Sequence, residues 1–519
     1  MLLEANQIKQ YMKDKILLDI EHLTIGSNDR IGLVGRNGSG KTTLLEILAG
    51  KRTPDSGVIT INTSLEFLPQ LKRTNTTKSG GEVTQEYINQ AITSNAEILF
   101  ADEPTTHLDT AHIEWLEEKL ANWLGALVLI SHDRAFLDSL CTVIWEIDNK
   151  NITVYKGNYS DYVDQKELER RTHQTEYEKY EKKKKQLEEA IILKERKAEK
   201  ATKKPKNVNL AEARNSKPYY ANKKKKLQQT AKAMETRLEK LEKVEKGGEL
   251  APIKMNLPNE AIFKNKIVLR VNHLQGAVGK RILWKGGSFT VRGGDKLAII
   301  GANGSGKTTL LKKMIEGDSA ISISPLMKIG YFSQNLDSLL AEKSILENVQ
   351  LTSNQDETFI RTVLARLHFF REDVYKKVGV LSGGERVKVA FAKLFVSDIN
   401  TLILDEPTNF LDIQSVEALE SLLEQYEGTI IFVSHDRRFI SQIANRIIEI
   451  KDGQLQLFEG PYNEFIQYKP MQAIQVDYEE KRLLIETKIT EVLSRLSIEP
   501  SPELEIEFQR LLAEKRTMS

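Results

Sequence analysis

The stretch that decides the fold is Gly-Arg-Asn-Gly-Ser-Gly-Lys-Thr at residues 35–42, between a strand pattern at Arg30 to Val34 and a helix pattern that begins near Lys41. Glycines in such a turn let backbone N–H groups face phosphate oxygens, and the helix N-terminus adds partial positive charge. Nearly the same stretch, Gly-Ala-Asn-Gly-Ser-Gly-Lys-Thr, recurs at residues 301–308. Two copies, each between a strand and a helix, predict an α/β chain with two phosphate-binding loops.

Four further motifs occur twice and in the same order. They are Gln70 and Gln334, Ser-Gly-Gly-Glu at 79–82 and 382–385, Asp-Glu-Pro-Thr at 102–105 and 405–408, and Ser-His-Asp-Arg at 131–134 and 434–437. The last three pairs share a spacing of 303 residues, whereas the glutamines are 264 apart. The second copy therefore carries about 40 additional residues between its glutamine and its Ser-Gly-Gly motif, with helix patterns at Ile345 to Val349 and Phe359 to Phe370.

The chain between the copies has a different composition. Residues from about Asp161 to Gly247 are rich in charge, with apolar residues at spacings of three, four and seven, which predicts two long helices. Prolines and asparagines within Ala201 to Ala221 interrupt that pattern and predict the tip of a helical hairpin near Lys203 to Lys226. Helix patterns return at Asp477 to Leu496 and Glu503 to Lys515. The predicted domains are a first repeat at 1–165, a linker at 166–261, a second repeat at 262–468 and a helical extension at 469–519.

Composition narrows the class of protein. A length of 519 residues suits two large domains and a connector, and 40% apolar content is enough for sizeable cores. The sequence has no run of roughly 18 apolar residues, which predicts no membrane span. Cys141 is the only cysteine, so an internal disulfide is excluded, a reducing cytosol is expected, and a small buried apolar role is the favoured interpretation of this side chain. The net charge of +2 indicates no class of partner.

The repeated motifs supply the groups that phosphoryl transfer needs. Lys41 and Lys307 are predicted to reach the β- and γ-phosphates. The predicted Mg²⁺ ligands, direct or through water, are Thr42, Gln70, Asp102, Thr308, Gln334 and Asp405. Glu103 and Glu406 would accept a proton from the attacking water, and His132 and His435 would bind the γ-phosphate or hold that glutamate. Any one of these residues alone would favour a core or turn role, but their order, repeated twice, favours the functional interpretation.

Taken together, these motifs resemble those of the ATP-binding-cassette (ABC) ATPases, over about residues 1–165 and 262–468. The resemblance implies two composite sites, in which the Ser-Gly-Gly motif of one cassette completes the nucleotide site of the other. On this basis the expected ATP-binding residues are Tyr11, Gly35, Asn37, Gly38, Ser39, Gly40, Lys41, Thr42, Thr43, Ser79, Gly80, Gly81, Gly301, Asn303, Gly304, Ser305, Gly306, Lys307, Thr308, Thr309, Ser382, Gly383 and Gly384.

Two features depart from the family pattern. Tyr11 stands where an aromatic ring usually stacks on adenine, whereas Ala277 stands at the matching position of the second copy. The second site is therefore expected to hold its base differently or less selectively. Phe410 replaces a histidine that is usual in the stretch after Asp-Glu-Pro-Thr.

Two cassettes on one chain with a charged helical linker are similar to the ABC-F family. The resemblance implies a cytoplasmic ATP hydrolase that uses ATP and Mg²⁺, works as a monomer and binds the tRNA exit site of the 70S ribosome, near 23S rRNA and P-site tRNA. Only eight residues separate Gln70 from Ser79, which leaves no room for the arm that translation factors of the family often carry. The short first cassette, the long linker and the C-terminal extension are similar to those of the Vga-type resistance proteins, and the stretches 201–207, 236–242 and 486–491 resemble that group. This resemblance implies displacement of lincosamides, pleuromutilins and streptogramin A compounds.

The linker tip is a candidate RNA-binding segment. Residues 194–226 contain 13 Lys or Arg against 3 Asp or Glu, a density that suits phosphate contacts. Candidate contacts are Lys203, Lys204, Lys206, Arg214, Lys217, Tyr219, Tyr220 and Lys223. On charge alone, a solvated hairpin with no RNA partner is an equal alternative, and the family resemblance favours ribosomal RNA.

Three other functions remain open on sequence. A housekeeping ABC-F translation factor would rescue stalled ribosomes without any drug. The ATPase module of an exporter would need a separate membrane partner. A DNA-repair or chromosome ATPase of this class usually has hook cysteines or far longer coiled coils, and neither occurs here.

Overall fold

The computed structural model describes residues 1–12, 14–69, 88–89, 96–106, 108–200, 217–241, 264–333 and 339–468, together with 489, 492 and 510; for 217–221 it describes the backbone alone. The chain divides into two compact units. One comprises Met1–Cys141, Trp145–Thr153 and Pro252–Ser519, and so holds the repeated motifs of both copies. The other comprises Thr142–Ile144 and Val154–Ala251, which includes the helical linker.

The first cassette contains two sheets. An antiparallel sheet has the order β2-β1-β4, and a six-stranded sheet has the order β5-β6-β7-β3-β8-β9. The strands are β1 Leu3–Met12, β2 Lys15–Ile25, β3 Arg30–Gly35, β4 Ser56–Ile61, β5 Leu65–Leu68, β6 Ile98–Asp102, β7 Ala126–Ile130, β8 Val143–Asp148 and β9 Asn151–Lys156. The helices are α1 Lys41–Leu48, α2 Thr110–Ala121 and α3 Arg134–Leu140.

The helical linker follows, with α4 at Tyr159–Lys200 and α5 at Lys217–Glu239 packed against each other. Ile191 and Ala198 of α4 and Ala231 of α5 are buried, which fits the predicted hairpin. The break was predicted to extend to Ala221, but α5 begins at Lys217. Pro218 lies in the first turn of α5, where the missing backbone N–H has no intrahelical partner to lose.

The second cassette repeats the plan of the first. Its sheets have the orders β11-β10-β13 and β14-β15-β16-β12-β17-β18. Its strands are β10 Ile267–Val278, β11 Arg281–Arg292, β12 Lys296–Gly301, β13 Ile321–Ile323, β14 Ile329–Phe332, β15 Thr401–Asp405, β16 Thr429–Val433, β17 Arg446–Lys451 and β18 Gln454–Glu459. Its helices are α6 Lys307–Glu316, α7 Ile345–Gln350, α8 Glu357–Arg366, α9 Gly383–Phe395, α10 Ile413–Gln425 and α11 Arg437–Ile443.

Continuous apolar runs explain the centre of each large sheet. Every residue of β6, β7, β15 and β16 is buried, as parallel strands covered on both faces require. In the registers, Asp102 pairs with Ile130, and Asp405 pairs with Val433. The Asp-Glu and Ser-His-Asp-Arg motifs therefore emerge at the carboxyl edge of the same sheet, where open α/β sheets place ligands.

The helical insertion of the second cassette differs from its prediction at one end. The pattern predicted a helix through Phe370, but α8 ends at Arg366. His368 has φ +67°, which takes the backbone out of the helix, and a short 3₁₀ helix at Arg371–Tyr375 follows. Phe369 and Val374 instead enter the core that α7, α8 and α9 share with the sheet.

The predicted α/β fold with two cassettes and a long helical linker is confirmed. Cys141 is buried, as expected. None of the described helices is long and apolar enough to cross a membrane. The C-terminal helix patterns, apart from Ile489, Val492 and Arg510, lie outside the described residues.

Candidate functional site

The two glycine-rich loops have nearly identical backbones. Gly38 and Gly40 have φ of +78° and +100°, and Gly304 and Gly306 have +74° and +101°. A Cβ on Gly306 would lie 2.2 Å from the ring of Trp284, and one on Gly40 would lie 3.1 Å from the side chains of Leu17 and Leu18. Each loop ends at a helix whose N-cap glycine supplies no side-chain bond, so the first N–H groups of α1 and α6 remain available to an anion.

The loop lysines are buried at the mouths of these loops. The Lys41 Nζ donates to the carbonyl oxygens of Gly35 at 2.7 Å and Arg36 at 3.0 Å. The Lys307 Nζ makes the equivalent bonds to Gly301 at 2.9 Å and Ala302 at 3.1 Å. Both ammonium groups are thus held by the loop in which phosphate groups were predicted to bind.

Each cassette also brings a hydroxyl and a carboxylate together beside the loop. The Thr308 Oγ1 donates to Asp405 Oδ1 at 3.2 Å, and the Thr42 side chain is hydrogen-bonded to Asp102. Burial raises the pKa of both aspartates. Oxygen donors from a strand end and a helix start are the kind of set that Mg²⁺ prefers, so the residues present fit that ion.

The adjacent glutamates adopt an uncommon backbone. Glu103 has φ +50° and Glu406 has φ +48°, although neither is a glycine. The Oε1 atoms of both are buried and lack a hydrogen-bond partner in the described part of the chain. A buried carboxylate oxygen without a hydrogen bond can accept one from a further group, and the predicted role of each glutamate as a proton acceptor stays a prediction.

Each glutamate lies beside the histidine of Ser-His-Asp-Arg. The His132 backbone N–H donates to Glu103 Oε2 at 3.3 Å, and its Nε2 lies 3.5 Å from Glu103 Oε1. The His435 Nε2 lies 3.4 Å from Glu406 Oε1. Burial and the nearby Lys41 lower the pKa of His132 to about 4, and burial and Lys307 lower that of His435 to about 3. Both imidazoles are therefore neutral at pH 7.

Burial acts on the glutamates in the opposite direction. Burial and the adjacent Asp102 raise the pKa of Glu103. Burial raises the pKa of Glu406 to about 7, against the attraction of Lys307. A carboxylate whose pKa lies near neutrality is suited to accept and return a proton.

The two cassettes contact each other at these loops. The backbone N–H of Asn37 donates to Asp412 Oδ2 of the second cassette at 2.9 Å, and the Asn37 Nδ2 donates to the Phe410 carbonyl at 3.1 Å. Reciprocally, the backbone N–H of Asn303 donates to Asp109 Oδ2 at 2.9 Å. Each glycine-rich loop is therefore bonded to the loop after the Asp-Glu strand of the other cassette.

The second Ser-Gly-Gly motif lies at the first nucleotide loop. A Cβ on Gly384 would be 3.2 Å from Asn37 Nδ2, and a 370 Å³ cavity is lined by both loops. Ser382 is the N-cap of α9 and forms a capping box with Glu385, so its hydroxyl points at the start of that helix. Ser382 and Gly384 therefore lie beside the first glycine-rich loop, and their role in a composite nucleotide site stays a prediction. The first motif, Ser79 to Gly81, lies outside the described residues.

The hairpin registers place Tyr11 and Ala277 at equivalent positions. Tyr11 pairs with Ile16 next to the β1–β2 turn, and Ala277 pairs with Ile282 next to the β10–β11 turn. The Tyr11 side chain is 48% exposed, which leaves its ring available for stacking.

Several predicted residues are not described. Gln70, Ser79, Gly80, Gly81, Gln334, Lys203, Lys204, Lys206 and Arg214 lie outside the described residues, and Lys217, Tyr219 and Tyr220 are described by backbone alone. Lys223 is exposed on α5. The roles assigned to all of these residues stay predictions.

Sequence reasoning missed two groups of residues. Asp109 and Asp412 are given no role by the sequence analysis, although each accepts a backbone N–H of the opposite nucleotide loop. Arg134 and Arg437 were noted only as the last letter of a motif. Their equal spacing of 303 residues from one copy to the other was the available signal.

Comparison with known proteins finds similar chains along most of the sequence. A family model described as ABC transporter matches residues 18–73 and 284–409, and a second with the same description matches 145–255. The erythromycin resistance ATP-binding protein MsrA of Staphylococcus epidermidis is 34% identical over 476 residues, covering 86% of this chain and 97% of that protein. The ribosome protection protein VmlR of Bacillus subtilis is 30% identical over 525 residues, covering 96% and 93%. A crystal structure of archaeal ribosome recycling factor aABCE1 with stalk protein aP1 has the same fold, with a TM-score of 0.59 at 18% identity over 89% of this chain and 92% of that one.

Proposed function

The chain belongs to the ABC-F family of tandem ABC ATPases, and from that premise we propose that it binds two ATP molecules between its cassettes, hydrolyses them and acts on the ribosome. One observation carries the proposal. The same set of lysine, aspartate, glutamate and histidine is assembled twice, and the glycine-rich loop beside each set is hydrogen-bonded to the other cassette.

The residues of each site have separate proposed roles. Lys41 and Lys307 hold the phosphates with the N–H groups of their loops, and Ser382 to Gly384 complete the first site from the opposite cassette. Thr42 with Asp102, and Thr308 with Asp405, hold Mg²⁺, with Gln70 and Gln334 as proposed further ligands. The ion would neutralise charge that develops on the phosphate oxygens.

The glutamates are the proposed general bases. In Glu103 the Oε2 accepts the His132 backbone N–H, and in both glutamates the Oε1 has no hydrogen bond among the described residues and lies 3.4–3.5 Å from the histidine Nε2. The Oε1 oxygen accepts the proton of the attacking water, while the neutral histidine beside it keeps the carboxylate in place and donates toward the γ-phosphate.

Action on the ribosome is supported by the relatives. MsrA is an erythromycin resistance protein and VmlR is a ribosome protection protein, and both align over more than four-fifths of this chain. We propose that this protein, a cytoplasmic monomer, engages the tRNA exit site of the 70S ribosome with the linker toward 23S rRNA and P-site tRNA. Closure of the cassettes on ATP favours the bound state, and drugs of the lincosamide, pleuromutilin and streptogramin A type leave the peptidyl-transferase region.

The test is ribosome co-sedimentation of the Glu103→Gln, Glu406→Gln double variant in ATP. Slowed hydrolysis is expected to trap the closed form, so that the variant sediments with ribosomes in ATP and releases a prebound labelled lincosamide. The control is the Lys41→Ala, Lys307→Ala double variant, which is expected to remain in the supernatant because it lacks the phosphate ligands. Failure of the glutamine variant to sediment would overturn the ribosomal proposal. Sedimentation without drug release would instead support a translation factor that acts without drug.

A further inference from the structure

The arginine of each Ser-His-Asp-Arg motif reaches across the cassette interface. Arg134 is the first residue of α3 in the first cassette, and its guanidinium donates through both NH groups to the Glu420 carboxylate on α10 of the second cassette, with one bond at 2.8 Å. Arg437, the first residue of α11, makes the equivalent bidentate contact with the Glu117 carboxylate on α2 of the first cassette, with one bond at 3.3 Å. Paired N–H bonds of this kind fix geometry as well as charge.

The two contacts are copies of each other. Arg437 lies 303 residues after Arg134, and Glu420 lies 303 residues after Glu117, the spacing of the repeated motifs. Each cassette therefore contributes one arginine and one glutamate to the interface, and each arginine binds the glutamate of the other cassette. We call Arg134–Glu420 and Arg437–Glu117 the latch pairs.

Each latch pair acts on a helix that is already attached to the opposite nucleotide loop. Asp412 caps the start of α10 and accepts the Asn37 N–H, and Glu420 lies eight residues further along. An α-helix rises about 12 Å over eight residues, so α10 is held by the first cassette at two separated points. By the same spacing, α2 is held at Asp109 and Glu117 by Asn303 and Arg437.

The other end of each latch pair is two residues from a histidine of the proposed active site. His132 and Arg134 belong to one turn that Asp133 closes by accepting the Phe136 N–H. A movement of α10 that displaces Arg134 therefore also displaces the turn that holds His132 against Glu103. In this way α10 contacts both the loop and the histidine turn of the first site, and α2 does so for the second.

We propose that Arg134 and Arg437 are positioning residues that couple the two ATP sites, because each latch pair ties the histidine turn of one cassette to the helix that contacts that cassette's nucleotide loop from the other side. This inference rests on the proposed ATPase function. The coupling is unequal. The Arg134 and Glu420 side chains are 2% and 10% exposed, whereas Arg437 and Glu117 are 18% and 17% exposed.

The first experiment measures closure. Dyes on Leu124→Cys and Glu342→Cys, whose side chains are 93% and 91% exposed, report the distance between cassettes, while buried Cys141 stays unlabelled. Closure is titrated with Mg²⁺ and a non-hydrolysable ATP analogue. Arg134→Glu is expected to raise the half-closing concentration on the order of tenfold, and adding Glu420→Arg is expected to restore it. The matched swap, Arg437→Glu with Glu117→Arg, is expected to show a smaller loss and the same recovery.

The second experiment measures coupling between sites. In the Glu103→Gln background only the second site is expected to hydrolyse ATP. The half-saturating ATP concentration of that site therefore measures the effect of a substitution beside the first site. Arg134→Glu is expected to raise that concentration on the order of tenfold, and the swap with Glu420→Arg to reverse the rise, which a merely local loss of packing would not do.

The outcomes separate the two proposals. If the wild type hydrolyses ATP and closes, but Arg134→Glu closes and turns over like the wild type, the coupling is wrong and the proposed function stands. A folded swap variant that is as impaired as Arg134→Glu would also overturn the coupling. A wild type that neither closes nor hydrolyses ATP would overturn both.

Discussion

At the scale of the residue, two glutamates of the site have a strained backbone conformation. A non-glycine residue in the left-handed region costs about 1–3 kcal/mol and persists only where its surroundings enforce it. Glu103 and Glu406 adopt this backbone at equivalent positions, and each backbone N–H donates to the end of the neighbouring strand, at Ile130 and Val433. The same outlier therefore occurs in both copies because the same strand-end contact surrounds each glutamate.

Asp133 is a residue at which pH should change stability. Burial and the facing Asp436 raise its pKa to about 6, while the Phe136 N–H, Arg437 and other nearby groups act on it less strongly. In an unfolded chain the pKa of aspartate is about 3.9. Between these values the folded protein binds more protons than the unfolded one, so the contribution of Asp133 to stability falls as pH rises from about 4 to about 6 and is fully lost above that.

Asp133→Asn should remove that loss. The amide can still accept the Phe136 N–H but cannot ionise, so at pH 7 the variant is expected to be more stable by on the order of 1 kcal/mol. Near pH 4 the gain should vanish. Thermal or denaturant unfolding at both pH values measures it, and parallel stability–pH curves for variant and wild type would contradict the prediction.

At the scale of the element, the two hairpins solve one packing problem differently. Gly276 pairs with Trp284 in the second cassette, where Gln10 pairs with Leu18 in the first. A Cβ on Gly276 would lie 2.3 Å from the Trp284 ring, so the glycine makes room for the indole, which is fully buried under the nucleotide loop. The hairpin of the second cassette therefore packs against its nucleotide loop through the Gly276–Trp284 pair, and the Gln10–Leu18 pair stands at the equivalent position of the first cassette.

Gly276→Ala is therefore expected to lower the free energy of unfolding of the second cassette by about 1–3 kcal/mol, since the core has no space for the added methyl group. Trp284→Leu, which introduces the residue found in the first cassette, should relieve the clash. The double variant is therefore expected to lose less free energy of unfolding than the sum of the two single variants. Denaturant unfolding of the two single variants and the double variant tests this. Strictly additive losses would show that the two side chains do not interfere.

At the scale of the whole molecule, charge is concentrated on the linker. Lys223, Lys225 and Lys226 of α5 are exposed, and α5 packs against α4 through its apolar positions. An exposed basic helix suits contacts with RNA phosphates, whose strength depends on salt.

Replacing Lys223, Lys225 and Lys226 with glutamine should weaken ribosome binding and flatten its salt dependence, by about 0.7–0.9 units of log–log slope for each phosphate that is no longer neutralised. ATP hydrolysis without ribosomes should not change, because these lysines are in the linker unit. Co-sedimentation across a salt series measures the slope. The matched control replaces Glu176, Glu178 and Glu181 of α4 with glutamine, which should leave the slope the same or steeper. An unchanged slope in the lysine variant would place the ribosomal contacts elsewhere.

Local chemistry accounts for the features that could be predicted from the sequence. The loop glycines, lysines and strand-end carboxylates lie within short segments, so their spacing predicted both cassettes, the helical linker and the groups at each site. The same reasoning placed the end of α8 too far along the chain and began α5 too late. In both cases the end of a helix depends on its surroundings, namely a core that accepts Phe369 and a first helical turn that tolerates Pro218.

The identity of the residues that meet across the interface depends on the tertiary fold. Asn37 and Asp412, or Arg134 and Glu420, are hundreds of positions apart, and no local propensity relates them. The left-handed backbone of Glu103 is likewise imposed by the strand and histidine turn around it, against the intrinsic preference of the residue. The sequence motifs predict the chemical groups within each cassette because those groups lie in short segments. Which residues of the two cassettes contact each other is decided only by the tertiary structure.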